Sequence, residues 1–147
     1  MPVNEPYRPL TAADFPALAA LHRAYKAEIG EAAPTDEELS RLLCAMEAGS
    51  ITFYGCEAEG RLLGVCSVTR GFSTFDYRPS GVLEDFYILP DCRHKGIARR
   101  LVRLARTHSG VGTLTVGCAP CDRGLYGAIG FSTELGTLLA WDDGAAQ

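Results

Sequence analysis

The sequence predicts an α/β (α+β) fold: a mixed, mostly antiparallel central sheet flanked by about four helices, with one β-α-β step late in the chain. Three observations lead there. Two helix-start signatures come early, at Thr11–Asp14 and Thr35–Glu38. Two β-rich runs then meet at the short turn Glu59-Gly60. Finally, a strand-like run ends at Pro90 and passes at once into a long amphipathic helix. The resulting order is β-α-α-β-β-β-α-β-α-β.

Arg8-Pro9-Leu10 ends a first short strand. Thr11-Ala12-Ala13-Asp14 has the capping-box pattern, and Leu18, Leu21, His22, Tyr25 and Ile29 follow at helical spacing. Thr35-Asp36-Glu37-Glu38 repeats the pattern ahead of Leu39, Leu42, Leu43 and Met46, after a Gly/Ala/Pro loop at 30–34. Ile51–Glu57 and Leu62–Thr69 read as a hairpin. A loop with Phe72-Ser73-Thr74-Phe75, Tyr77 and Pro79 leads into the strand Val82–Leu89. The helix after Arg93 puts Ile97, Leu101, Leu104 and His108 on one face, with Arg99, Arg100, Arg103 and Arg106 elsewhere. Thr113–Val116 is a short strand, Asp122–Ile129 a short helix stopped by Gly130, and Leu138–Trp141 a last strand. The tail DDGAAQ reads as frayed.

At 147 residues the chain is expected to be one domain over 1–147 with a core of its own. Hydrophobic residues at 47% and charged residues at 22% are ordinary for a globular protein. A net charge of −4 gives no electrostatic case for nucleic acid. No apolar run approaches the roughly 18 residues that span a bilayer, and the opening MPVNEPYRPL lacks a signal-peptide pattern. Cytoplasmic residence without membrane partners is the expectation. The six cysteines then read as reduced thiols, several of them small buried hydrophobes.

The richest stretch is Val82–Val102, VLEDFYILPDCRHKGIARRLV. A strand feeding a helix through Arg93-His94-Lys95-Gly96-Ile97-Ala98 presents unpaired backbone N–H groups and the positive end of a helix dipole. That suits a pyrophosphate, and the flanking Arg and Lys suit an anion further. The R-x-x-G-x-[G/A] arrangement resembles the acetyl-CoA signature of the GCN5-related N-acetyltransferase (GNAT) superfamily. Downstream, Leu125-Tyr126-Gly127-Ala128-Ile129-Gly130-Phe131 resembles the family's F/L-Y-x-x-x-G-F element. Phe72-Ser73-Thr74-Phe75, Arg78-Pro79 and Val82-Leu83-Glu84-Asp85-Phe86-Tyr87 look like the diamine and thialysine branch, which includes the spermidine/spermine acetyltransferases.

The resemblance implies an N-acetyltransferase that moves an acetyl group from acetyl-CoA to a primary amine of a small molecule by direct attack. It implies no metal and suggests a homodimer. Tyr126 would be the general acid, since a phenol with a pKa of about 10 stays protonated at neutral pH. Phe86, Tyr87 and Ile88 would lie along the pantetheine arm, and Arg93, His94, Lys95, Gly96, Ile97, Ala98 and Arg99 would cradle the pyrophosphate. Glu84 would bind the ammonium or relay its proton through water, with Asp85 able to share that work. Glu28 and Tyr77 are further candidates for the amine site, with Tyr25, Glu31, Phe75 and Glu134 as neighbouring possibilities.

Departures from the pattern matter too. His94-Lys95 replaces a commoner Gly-containing pair, which predicts a bulkier loop with fewer special backbone conformations. Ala119 stands where an Asn often precedes the Tyr by seven residues, so a cofactor hydrogen bond is lost or supplied otherwise. Two other classes stay open. One is a catalytically silent CoA-binding module. The other is a dithiol redox protein built on Cys118-Ala119-Pro120-Cys121, although only 26 residues follow Cys121.

Overall fold

A computed structural model describes residues 6–144. The opening MPVNE and the last three residues of the tail lie outside them. The chain divides into two compact units, one ending at Val116 and the other beginning at Gly117.

The first unit holds β1 (Tyr7–Pro9), α1 (Phe15–Glu28), α2 (Asp36–Glu47), β2 (Ile51–Ala58), β3 (Arg61–Ser73), β4 (Arg78–Ile88), α3 (Ile97–His108) and β5 (Thr113–Thr115). One sheet runs in the order β1-β2-β3-β4-β5, antiparallel throughout except for the parallel pair β4–β5. The mixed, mostly antiparallel sheet and the β-α-β step are thus as expected.

Local chemistry sets the element ends. The Asp14 carboxylate accepts from the Thr11 N–H at 2.8 Å, and a 3-10 turn at Ala12–Asp14 leads into α1. At α2 the box is reciprocal: Thr35 Oγ1 accepts from Glu38 N at 3.1 Å, and Glu38 Oε1 accepts from Thr35 N at 3.0 Å. Glu59 and Gly60 have φ of 53° and 73°, the two left-handed residues that match a two-residue turn to twisted strands.

Helices cover both faces of the sheet. Phe53 and Val65 join Leu10, Leu18, Leu21, Ile51 and Tyr87 in one buried cluster, with Tyr25 and Leu42 packed against it. Tyr54, the next residue along β2, points the opposite way. Its hydroxyl lies 3.0 Å from His108 Nδ1 of α3. Also on that face, Cys66 Sγ lies 3.8 Å from the Leu101 carbonyl.

Four expectations change. The stretch from Phe72 to Pro79 is not a loop: antiparallel pairing continues through Phe72↔Pro79 and Ser73↔Arg78, leaving only 74–77 as the turn. Leu138–Trp141 is not a strand: among the described residues it pairs with none and has no regular structure. Leu138 and Trp141 are both exposed. In α3 the buried seam is Ile97, Leu101, Val102 and Ala105, while Leu104 is half-buried and His108 exposed. The short helix of the second unit, α4, spans Arg123–Ala128, with Pro120–Asp122 as a 3-10 turn before it.

Cys56, Cys66 and Cys92 are buried thiols, as read. Cys44, Cys118 and Cys121 are exposed. No helix among the described residues is long and apolar enough to cross a membrane.

Candidate functional site

The site grows from the point where β4 outruns its neighbour. β5 pairs with β4 only at Ser80↔Thr113, Gly81↔Leu114 and Val82↔Thr115. Beyond Val82 the β5-side edge of β4 runs on to Ile88, past the end of that pairing. Tyr87 and Ile88 bury their side chains in the core. What this segment offers along that edge is therefore backbone, which suits a ligand carrying amides.

β4 then enters the turn that opens α3. After the 3-10 turn Pro90–Cys92, His94 has φ of 63° and Gly96 has φ of 83°. The prediction of fewer special backbone conformations is corrected here, since His94 itself takes the left-handed one. A non-glycine residue so placed costs about 1–3 kcal/mol unless its surroundings over-determine it. Gly96 is the N-cap of α3, and a Cβ there would meet nothing within 4 Å, so conformation rather than space calls for glycine. His94, Lys95 and Gly96 are exposed, and Ile97 is buried. First-turn N–H groups of a helix lie beyond the reach of the i−4 carbonyl ladder. With Lys95 beside them they suit a polyanion.

Arg93 is turned elsewhere. Its Nε donates to the Ile88 carbonyl at 2.9 Å and its guanidinium meets Glu28 Oε2 at 2.6 Å. It also lies over the Tyr87 ring at 5.5 Å. Hydrogen bonding to Arg93 lowers the Glu28 pKa and raises that of Arg93. Two candidates read from sequence as cofactor-binding and substrate-binding are thus joined to each other. Together they tie the end of α1 to the end of β4, so Arg93 positions the turn.

A bulge shapes the strand just before. Cys66 faces Phe86 and Val68 faces Leu83, so Glu84 and Asp85 together oppose the single residue Ser67. Strict alternation therefore fails between Glu84 and Asp85. The fully buried Ser67 hydroxyl lies 2.6 Å from Asp85 Oδ2 and accepts from the Asp85 N–H at 3.0 Å. Glu84 is exposed. Tyr25, its ring tilted against that of Tyr87 at 5.7 Å, feels both carboxylates. Burial, then Asp85, push its phenol pKa up.

His22 was read only as a helix position and Ser67 was not read at all. The signal for the first was present: an imidazole on the core-facing stripe with Leu18, Leu21 and Tyr25. Ser67 carries no signal, since only the bulge gives it a role. Tyr77 is not brought to this place. It lies in the β3–β4 turn with φ of 55° and is 74% exposed, roughly 20 Å along β4 from Glu84. Phe75 shares that tip and is fully exposed.

The second unit carries Tyr126 on α4. Its carbonyl accepts from Phe131 N at 2.9 Å and from Ile129 N at 3.2 Å, and its ring meets Phe131 edge-on at 6.1 Å. Arg123 pairs with Glu134 at 3.1 Å. Cys118 precedes the 3-10 turn before α4 and Cys121 lies within it, with Asp122 N donating to the Ala119 carbonyl at 2.9 Å. No group of three or more His, Cys, Asp or Glu that could hold a metal ion occurs among the described residues.

Comparison with known proteins bears on this arrangement. Residues 15–131 match the model of the acetyltransferase (GNAT) family. A search of curated proteins found no match. Among solved structures, a probable acetyltransferase is 21% identical, covers 93% of this chain and 99% of its own, and superposes with a TM-score of 0.78. An aminoglycoside acetyltransferase from an uncultured soil metagenomic sample, in complex with sisomicin, is 13% identical, covering 92% and 93%, with a TM-score of 0.79. A predicted acetyltransferase from Clostridium acetobutylicum, with acetyl-CoA, is 17% identical, covering 91% and 94%, with a TM-score of 0.71. At these identities the structures speak for the fold, while the family match spans most of the sequence, β4, the turn and α4 included. The chain belongs to the acetyltransferase (GNAT) family and is an acetyl-CoA-dependent N-acetyltransferase.

Proposed function

We propose that this enzyme acetylates a primary amine of a small cationic molecule, of the diamine, polyamine or thialysine kind, by direct attack on acetyl-CoA. One observation carries the reading: β4 leaves β5 at Val82, bears two carboxylates at a bulge, and runs into a positive-φ turn that opens α3. Backbone of Phe86, Tyr87 and Ile88 suits the amides of the pantetheine arm. The turn from His94 through Arg99 suits the pyrophosphate, with Arg93 shaping it from behind. Bound there, acetyl-CoA supplies the acetyl group as a thioester.

The chain's own residues supply the rest. Exposed Glu84 draws in the ammonium and assists the loss of its proton. Asp85 adds a second negative charge at the same bulge. Tyr126 holds a proton for the departing thiolate, and no cysteine is needed as a nucleophile. Glu28, engaged by Arg93, acts on the amine site through that pair. Tyr77 contributes only with an acceptor long enough to reach the β3–β4 turn. Chain length supports a single domain over 1–147, the sequence pattern supports action in the cytoplasm, and the family resemblance supports a homodimer. The aminoglycoside acetyltransferase above, solved in complex with sisomicin, keeps aminoglycosides among the acceptors to test.

The test is thiol release from acetyl-CoA across spermidine, putrescine, thialysine, lysine and neamine, with acceptor-free release subtracted. Selective acceleration by a diamine, polyamine or thialysine is the expected result. Acceleration only by neamine, or by none of them, contradicts this substrate class.

A further inference from the structure

A cleft of about 510 Å³ opens between α1 and α2, lined by His22, Lys26, Glu31 and Glu38 with the apolar Leu39 and Leu42. His22 is half-buried on the wall of this cleft. The Tyr25 ring, 6.0 Å from the imidazole, packs in turn at 5.7 Å against Tyr87 of β4, two residues beyond Asp85. Ser67 fixes the Asp85 carboxylate by one bond to its oxygen and one to its backbone N–H. The imidazole therefore has solvent and ligand access from the cleft, with an anchored carboxylate within electrostatic reach.

We infer that His22 is the group that receives the proton the acceptor ammonium must lose, and that Asp85, held by Ser67, steadies the imidazolium so formed. This rests on the acetyl-transfer reading above and assigns it a base that the sequence did not suggest. An ammonium with a pKa of about 10 needs an acceptor matched to neutral pH, and imidazole, ordinarily near 6.5, is better matched than a carboxylate. Glu84 then serves to attract the cation. Asp85 acts on the imidazole through space by its charge, with Ser67 keeping its position.

Burial of His22 favours a neutral imidazole ready to accept. Burial is the largest influence and lowers its pKa below the ordinary value. Asp85 of β4 and Glu31, beyond α1, act to raise it, and Lys26 of its own helix acts to lower it. Lys26 is itself paired with Glu31 at 2.8 Å. Glu38 of α2 shares the cleft but is held by the Thr35 capping box. The Tyr25 ring lies 6.0 Å from the imidazole.

The proton balance is simple. The ammonium N–H bond breaks as a bond to the unprotonated imidazole nitrogen forms, directly or through one water. The freed lone pair attacks the thioester carbonyl, and the carbon–sulfur bond breaks. Two N–H protons are lost in all. One leaves through His22 and the cleft to solvent, and the other makes good the proton given to the thiolate.

The experiment compares wild type, His22→Gln and Asp85→Asn, following thiol release from pH 5.5 to 9.5 with the fastest acceptor of the panel above. The His22 imidazole is titrated separately by NMR. His22→Gln should lower kcat/KM at pH 7 by about 100-fold, with the deficit closing toward pH 9.5 as free amine becomes abundant. A merely structural role would give a deficit that does not close. Asp85→Asn should move the His22 titration, and the acid limb of the rate profile with it, to lower pH. A wild-type profile in His22→Gln, or an unmoved His22 titration in Asp85→Asn, overturns the assignment alone. Absence of amine-dependent release by the wild type overturns this inference together with the acetyl-transfer reading.

Discussion

The two sides of the proposed chemistry stand on very different foundations. Proton removal is placed on β4 and α1, where Tyr87, Leu83, Leu18 and Leu21 are buried and Ser67 is sealed from solvent. Proton donation is placed on α4, a six-residue helix with no buried residue. Tyr126 is framed instead by local turns: its carbonyl takes two N–H groups, and its ring meets Phe131 five residues on. The first region is fixed by long-range packing and tolerates little change. The second is fixed by short-range bonds, so a substitution there changes chemistry with little effect on the core.

The largest expected effect tests the lightly built side. Tyr126→Phe removes the phenolic proton and keeps the ring against Phe131. Thiol release should fall by about 100-fold or more, with the melting temperature nearly unchanged. Unchanged turnover would remove Tyr126 as the acid and with it the second half of the contrast.

Ser67→Ala probes the densely packed side. It leaves the half-buried Asp85 carboxylate and N–H without their partner, which should lower stability by about 1–3 kcal/mol in urea unfolding. Equal stability of the variant and the wild type would mean that water replaces the hydroxyl and that packing does not fix the bulge.

A smaller effect separates sheet anchoring from the site. Arg8 holds Asp14 at 2.7 Å and also meets Glu57 at 2.8 Å, and the bond from Arg8 keeps the Asp14 pKa at about 2, against 3.8 ordinarily. A carboxylate depressed in the fold stabilises it fully above its unfolded pKa and loses that contribution as pH falls through the folded value. Stability tied to Asp14 should therefore hold above about pH 4 and vanish toward pH 2. Asp14→Asn should cost about 1 kcal/mol at pH 7 and flatten that part of the acid profile. A parallel profile in the variant would assign the acid loss to other carboxylates.

What the sequence made legible follows from the range of the forces involved. The boxes at Thr11 and Thr35 and the Glu59-Gly60 turn are local and came through intact. The strand–turn–helix around Gly96 was also readable, because glycine at a helix N-cap is a local demand. The bulge at Glu84 and Asp85 was not, since register belongs to a pair of strands and one strand's pattern cannot reveal an extra residue. The same limit hid the β3–β4 pairing of Phe72 with Pro79. It also made Leu138–Trp141 look like a strand, although apolar residues form one only beside a partner. Arg93 was read as an anion ligand because its contacts with Glu28 and Ile88 join residues 65 and 5 positions apart.

The most direct test is to titrate isotopically labelled protein with acetyl-CoA and follow backbone amide shifts by NMR. The largest changes should fall on β4 beyond its pairing with β5, 83–88, and on the turn and first turn of α3, 94–99, with little response in α2. Saturable binding with those amides unmoved, or with shifts confined elsewhere, would contradict the placement of the cosubstrate on which every other assignment depends.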